Sequence, residues 1–329
     1  MQVKTVQYGL GKNGHRSKIT GDWVSGPDTP TTEQLGANRF DFGGLTFKHE
    51  FDDEFWTSRT PDYSKIEVPF LSAGNWGGQG LHTRGNVEGF VRSASKEKWL
   101  EMHGIEHWTH FYTDYGRMMQ LKFFDYFLKG EKNGWDQQPK VLLNVRHPGE
   151  KFALRADTTW PLASTQWTKM YLDASSSTMG TASVDKAGKV TYRGLSEGVT
   201  FLTVPMEQET EITGQLAAKL FVSSSTVDAD MFLIMRIFDQ NMKEITFQGA
   251  LDPNTPIAQG WLRASHRELD PKLSVPYRPY HPHQKKEPLQ PGEVYELDIE
   301  ILPTSIVIPA GYRIGLTVRG LSLIHISEP

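Results

Sequence analysis

The chain has 329 residues, a formal net charge of -4, a sequence pI near 6.3 and 38% hydrophobic residues, a composition that suits a soluble globular protein long enough for two domains with sizeable cores. The balance is mildly acidic with no basic stripe, which argues against nucleic acid and anionic membrane as partners, and the absence of cysteine excludes disulfides and thiolate metal sites while leaving a reducing compartment compatible. There is no run of eighteen apolar residues and no charged-then-apolar leader after Met1, so no export signal is visible and the location is left unknown.

Residues 1–64 are polar and rich in Gly, Pro and Thr, with a short helical patch over Thr32–Arg39 and an acidic-aromatic segment from Glu50 to Trp56. The centre of the chain is the stretch from Ile66 to His110. Ile66, Val68, Phe70 and Leu71 form a short apolar run ending in Ser-Ala-Gly, which reads as a strand with Pro69 near its start. Leu81, Val87, Phe90 and Val91 lie near helical spacing between Gly78/Gly80 and Ser93. A helix there crosses back and delivers Lys98–Met102 as a second, parallel strand. In open α/β sheets, ligands gather at the carboxyl ends of strands, and both Asn75–Gly80 and His103–His110 fall at such ends. Asp114–Leu128 predicts a core-facing helix, with Met119, Phe123 and Phe127 at i, i+4, i+8 and Lys129-Gly130 as its stop. Lys140–Val145 is a further short strand, followed by a His147-Pro148-Gly149 turn. From about Trp160 the pattern changes to short alternating runs (Lys169–Leu172, Val190–Tyr192, Val199–Val204, Leu216–Val222, Phe232–Asp239, Val294–Ile299, Tyr312–Val318), which predict an antiparallel β-sandwich. Leu262–His283, with four prolines, is a long irregular excursion.

Three motifs carry candidate chemistry. Gly194-Leu195-Ser196-Glu197-Gly198 matches G-x-S-x-G, the nucleophile elbow of serine hydrolases. The elbow needs a following helix, whereas Val199–Val204 is a strand by composition, so a β-turn is expected. His103, His107 and His110 cluster after the second strand. Without a helical face the H-x-x-x-H spacing is a weak metal signal, and a general base at a strand end, or a polar loop of satisfied imidazoles, are the alternatives. His281-Pro282-His283 lies in a proline-rich loop followed by lysines and is a poor metal pair.

The stretches LSAGNWGGQGLHTRGNVEGF, KWLEMHGIEHWTHFYTDYG, FFDYFLKGEKNGW, VLLNVRHPGE, WLRASHRELDP and PTSIVIPAGYRIGLTVRG resemble the CocE/NonD hydrolases, the cocaine-esterase and X-Pro dipeptidyl-peptidase type of serine hydrolase. The likeness runs from about Tyr8 to Gly320. It implies an α/β-hydrolase domain interrupted by a helical cap and followed by a C-terminal jelly roll. The activity implied is acyl hydrolysis of esters or X-Pro-type peptide amides through a Ser…Asp…His triad. Carried over, the family's base is His107. Its acid lies in an A-G-W-x-D-like turn, where Gly77 stands at the aspartate position; that leaves either an acid elsewhere or a base oriented by a neutral group such as Asn75. The nucleophile lies upstream of the chain.

The resemblance divides the chain into a cap-region remnant (1–64), the last strands and helices of the α/β-hydrolase domain (65–155) and an incomplete jelly roll (156–320). Residues 321–329 look like a sequencing-adapter read-through. The expectation is α/β plus all-β, a hydrolase fragment inactive by itself, with a small-molecule ester or short peptide as substrate, no cofactor and no metal. Homo-oligomer formation stays open. The rival is a non-catalytic β-sandwich module in which Trp160, Trp167 and Trp261 bind carbohydrate or a protein partner; tryptophans exposed in a row would favour it, and tryptophans buried at a seam would favour the hydrolase.

Overall fold

The computed structural model describes residues 16–17, 20–23, 31–37 and 41–322. The Tyr8–Gly11 end of the resemblance and most of the adapter-like tail lie outside them. The chain divides into two compact units, residues 1–60 and 61–329.

In the first unit short helices form where caps are available. Thr31 and Gln34 make a reciprocal capping box at α1 (Thr32–Ala37), each backbone N–H donating to the other's side chain. Asp41 caps α2 (Phe42–Lys48), and Asp53 caps α3 (Glu54–Thr57) while its other oxygen lies 2.7 Å from His49 Nδ1. The acidic-aromatic segment folds on itself, Phe55 stacking on His49 at 4.3 Å and Trp56 Nε1 donating to the His49 carbonyl.

The second unit is a mixed sheet with few helices. β1 (Phe70–Asn75), β2 (Lys98–His103) and β3 (Val141–His147) are parallel, with Asn75 opposite His103. β1 starts later than the apolar run suggests. Pro69 cannot donate to a ladder, so the strand begins just after it and Val68 is exposed. α4 (Thr83–Arg92) crosses between β1 and β2 and buries Val87 and Phe90 with Trp76, Leu100 and Met102, whereas Leu81 precedes the helix and is exposed. α5 (Thr109–Tyr112) leads into α6 (Asp114–Lys129), which ends on left-handed Gly130 at φ 71°. Phe123 of α6 packs with Trp99 and Trp135, while Leu121, Phe124 and Leu128 point outward.

β4 (Lys151–Asp157) folds back on β3 and spans the expected boundary at 155/156. β5 (Tyr171–Asp173), β6 (Thr178–Gly180), β7 (Val199–Leu202), β8 (Thr210–Ser223), β9 (Asp230–Phe238), β10 (Glu244–Ile245), β11 (Ala258–Arg263), β12 (Val294–Ile308) and β13 (Arg313–Arg319) follow. The parallel part thus runs on into antiparallel strands in one 13-stranded sheet, in the order β1-β2-β3-β12-β11-β9-β13-β7-β6-β5 with β4, β8 and β10 off that path. Val190–Tyr192, an expected strand, is irregular. Leu233, Ile237, Ile257, Ile299 and Ile306 centre the large core of this region. A trough of about 2800 Å³ opens along β8, lined by Leu172, Met179, Phe201, Leu220 and Leu316. No helix among the described residues is long and apolar enough to cross a membrane.

Candidate active site at the carboxyl ends of β1 and β2

The turn after β1 and the loop after β2 meet through Asn75. Its buried side chain accepts from the Gly77 N–H at 2.8 Å and donates to the carbonyls of Gly104 and Ile105 at 3.0 and 2.6 Å, while its own carbonyl accepts from Thr83 Oγ1. Ile105 sits at φ 58°, the left-handed region that a β-branched residue avoids, at a cost on the order of 1–3 kcal/mol. The Asn75 amide grips the strained residue. Asn75 therefore orients the main chain of the loop that carries His107; its amide is spent there and not on the His107 ring.

His107 is held from three sides. Its backbone N–H donates to the Ala250 carbonyl at 3.2 Å. Its ring stacks on His82 at 4.8 Å and meets Trp108 edge-on at 5.6 Å. Its Nδ1 is buried without a hydrogen-bond partner. Burial, followed by the nearby charges of His82 and His103, lowers its pKa below the ordinary imidazole value, which favours the neutral, proton-accepting ring.

Gly77 is occupied in a different sense. A Cβ there would lie 2.2 Å from Gly249 Cα and 3.0 Å from Ala250 N, both main-chain atoms. Ala250 N–H donates to the Gly77 carbonyl at 3.3 Å, so the Phe247–Thr255 turn is clasped between Gly77 and His107. Neither Gly77 nor its neighbour Gly78 offers a carboxylate, and the backbone of this turn fills the space where a residue-77 side chain would begin. The sequence reading missed Ala250, which lies far along the chain and has no chemistry of its own to mark it.

His103 and His110 face Glu101, at 2.7 and 3.4 Å, a residue that the sequence alone did not single out. It is a charged position in an otherwise apolar buried strand, two residues before a histidine, and that is the signal that could have found it. His281 directs both ring nitrogens at carbonyl oxygens, Glu268 at 2.9 Å and Asp298 at 2.8 Å, and His283 Nδ1 lies 3.2 Å from His266 Nδ1. His281 is thus a clasp between the 264–290 excursion and β12, with no nitrogen left for a metal. Ser196 donates to the Arg193 carbonyl at 2.7 Å in a turn, Gly198 at φ 75° follows, and β7 begins at Val199. This is a turn leading into a strand, and the Ser196 hydroxyl is spent on its own turn. Of the three tryptophans, Trp160 is buried against Trp76, Trp261 is half exposed, and Trp167 is half exposed but stacked face to face on Tyr277 at 3.9 Å.

Residues 133–326 match the family model of the X-Pro dipeptidyl-peptidase C-terminal non-catalytic domain. The cocaine esterase of a Rhodococcus species is 27% identical over 240 residues, covering 61% of this chain and 37% of that protein. A CocE/NonD family hydrolase of Staphylococcus aureus superposes with a TM-score of 0.84 at 32% identity, over 89% of this chain and 55% of its own. An archaeal aminopeptidase from marine sediment shares the fold with a TM-score of 0.66 at 17% identity, over 88% of this chain and 54% of its own. The chain thus spans little more than a third of that curated relative and about half of the solved ones. With the family match covering more than half of its residues, the chain belongs to the family of the X-Pro dipeptidyl-peptidase C-terminal non-catalytic domain.

Proposed function

We propose that the chain is the C-terminal part of a CocE/NonD serine hydrolase, and that His107 is its general base. In this reading residues 65–155 complete an α/β-hydrolase domain, residues 1–64 belong to its cap, and the β-rich remainder is a jelly roll. The carrying observation is His107 itself. It stands on a strained, clamped loop at the carboxyl end of a parallel strand, with a lowered pKa and an Nδ1 that is buried and unpartnered. Nδ1 is the ring atom that a triad acid engages, which leaves Nε2 for a serine hydroxyl.

The serine, from a part of the protein preceding this chain, attacks an ester or an X-Pro-type amide carbonyl. His107 takes its proton and returns it to the leaving group, and water then clears the acyl-enzyme. Gly77 supplies no carboxylate for Nδ1, so in this reading the acid of the triad stands elsewhere. Exposed Trp108, Phe111 and Tyr112 neighbour the histidine in sequence, Leu251 adjoins Ala250 and Leu81 adjoins the His82 that stacks on the ring, and all suit an apolar acyl or leaving group. By itself the chain lacks a positioned nucleophile and turns over no ester. The test is labelling by a fluorophosphonate probe: the chain alone stays unlabelled, and the protein extended upstream to a strand, G-x-S-x-G and helix is labelled on that serine. Labelling of the chain alone at Ser196 would overturn the reading.

A binding-module reading has one observation in its favour, the half-exposed Trp167–Tyr277 stack beside the trough. Each ring there already uses one face on the other, and Trp160 is core. Glycan-array binding lost in W167A would support that reading.

A further inference from the structure

Behind the loop that carries His107 lies a cluster that acyl transfer does not use. Glu101 and His103 are two residues apart on β2 and so share a face; α5 adds His110. Glu101 is 1% and His103 6% exposed. Glu101 Oε2 lies 2.7 Å from His103 Nδ1, and Glu101 Oε1 lies 3.4 Å from His110 Nε2. Burial pushes the Glu101 carboxyl up, yet the hydrogen bonds and charges of the two histidines outweigh it and hold the pKa below the usual carboxylate value. The Tyr115 ring lies 4.9 Å from that of His110. Glu101 Oε1 and His110 Nε2 meet only across that long 3.4 Å contact, and His103 Nε2 and the Tyr115 hydroxyl are buried with no hydrogen-bond partner. Buried polar groups are nearly always satisfied, so this under-satisfied cluster suits an ionic occupant.

We propose that Glu101, His103 and His110 form a binding site for a divalent transition-metal ion of the zinc class. Each offers one ligand atom, and the three atoms lie within 4.8 Å of one another. Two imidazole nitrogens and one carboxylate oxygen select zinc-like ions over calcium or magnesium, which take oxygen shells. Tyr115 or a water completes four-coordination. Binding requires one ring to turn about its Cβ–Cγ bond. The His103 and His110 rings are stacked at 4.3 Å with only 12° between their planes, so their lone pairs do not yet converge on one point.

The consequence for the fold is specific. The ligands flank His107 on both sides in sequence, so the ion ties β2 to α5 and braces the loop holding Ile105 and His107. The site does not depend on His107 being a general base.

The experiment uses the whole chain, stripped with chelator and titrated with Zn²⁺ by calorimetry and with Co²⁺ by visible absorption. The expected result is one equivalent bound, a raised Tm, ligand-field bands of a four- or five-coordinate cobalt ion, and an affinity at least tenfold lower in E101Q and H110N. Should E101Q fail to fold, H110N, altered at a less buried position, decides. No uptake at stoichiometric zinc by the folded chain would overturn the proposal, and so would undiminished uptake by folded H110N, which would place the metal on other histidines.

Discussion

Replacing Gly77 by aspartate puts a carboxylate where the resemblance leads one to expect the acid, and the structure predicts that it damages the protein and repairs nothing. The new Cβ meets Gly249 Cα at 2.2 Å, Gly249 C at 2.9 Å and Ala250 N at 3.0 Å, all backbone atoms that cannot swing aside as a side chain would. The Phe247–Thr255 turn has to move. Its movement breaks the Ala250 N–H bond to the Gly77 carbonyl and the His107 N–H bond to the Ala250 carbonyl. Overpacking of this kind costs about 1–3 kcal/mol, and two lost backbone hydrogen bonds add about 1 kcal/mol each. The sum, about 3–5 kcal/mol, lowers Tm on the order of 10 °C for a unit of this size. Thermal unfolding of the wild type, G77A and G77D checks it. G77A shares the Cβ without the charge and is expected to lose most of the same stability. If G77D unfolds at the wild-type temperature, or if G77A is neutral while G77D alone is destabilised, the steric argument fails.

Three further outcomes are expected. Burial, aided by the charges of His266, His281 and Arg84, holds His283 down to about 4, below the ordinary 6.5. A depressed imidazole contributes stability that is full above about pH 6.5 and is lost as the pH falls toward 4. Ring-proton NMR should find it neutral at pH 5, and a midpoint near 6.5 would contradict the reading. His107, lowered for the same kind of reason, should also titrate below a free histidine, and H82F should raise its midpoint by removing one neighbouring charge while keeping the stack; an unchanged midpoint counts against the His82 contact. Arg278 pairs with Glu88 of α4, both largely buried, and Arg92 reaches the other Glu88 oxygen only at 3.6 Å. R278A leaves a buried carboxylate nearly alone, at a cost of about 3–5 kcal/mol. Urea unfolding measures this and limited proteolysis should open residues 267–290; a loss below about 1 kcal/mol would show that water replaces the arginine.

The sequence made the parallel pair and its crossing helix legible because their signals are local: a glycine-rich turn, apolar residues at helical spacing, and a second apolar run. α6 was as plain, with Phe123 on its buried stripe and Gly130 at its end. The first strand was misplaced by a few residues, since apolar Ile66 and Val68 outweighed the missing N–H of Pro69. Val190–Tyr192 has strand composition but pairs with no strand, and β composition without a partner does not make one. The site was half visible. His107 could be singled out as a strand-end histidine, whereas its anchor at Ala250 and the bar that Gly249 sets against any side chain at Gly77 arise from contacts across more than a hundred residues. Glu101 was hidden for another reason: in the sequence it is one charge inside a strand, and its meaning comes only from the two imidazoles that the fold places on it.

The measurement that bears most directly on the central claim is ester hydrolysis by the upstream-extended protein, with and without H107N, beside this chain alone. The account predicts no turnover by the chain, saturable turnover by the extended protein, and a loss on the order of 10⁴-fold or more in kcat for a folded H107N variant. Saturable hydrolysis by the chain alone, or an H107N enzyme close to wild type, would contradict it.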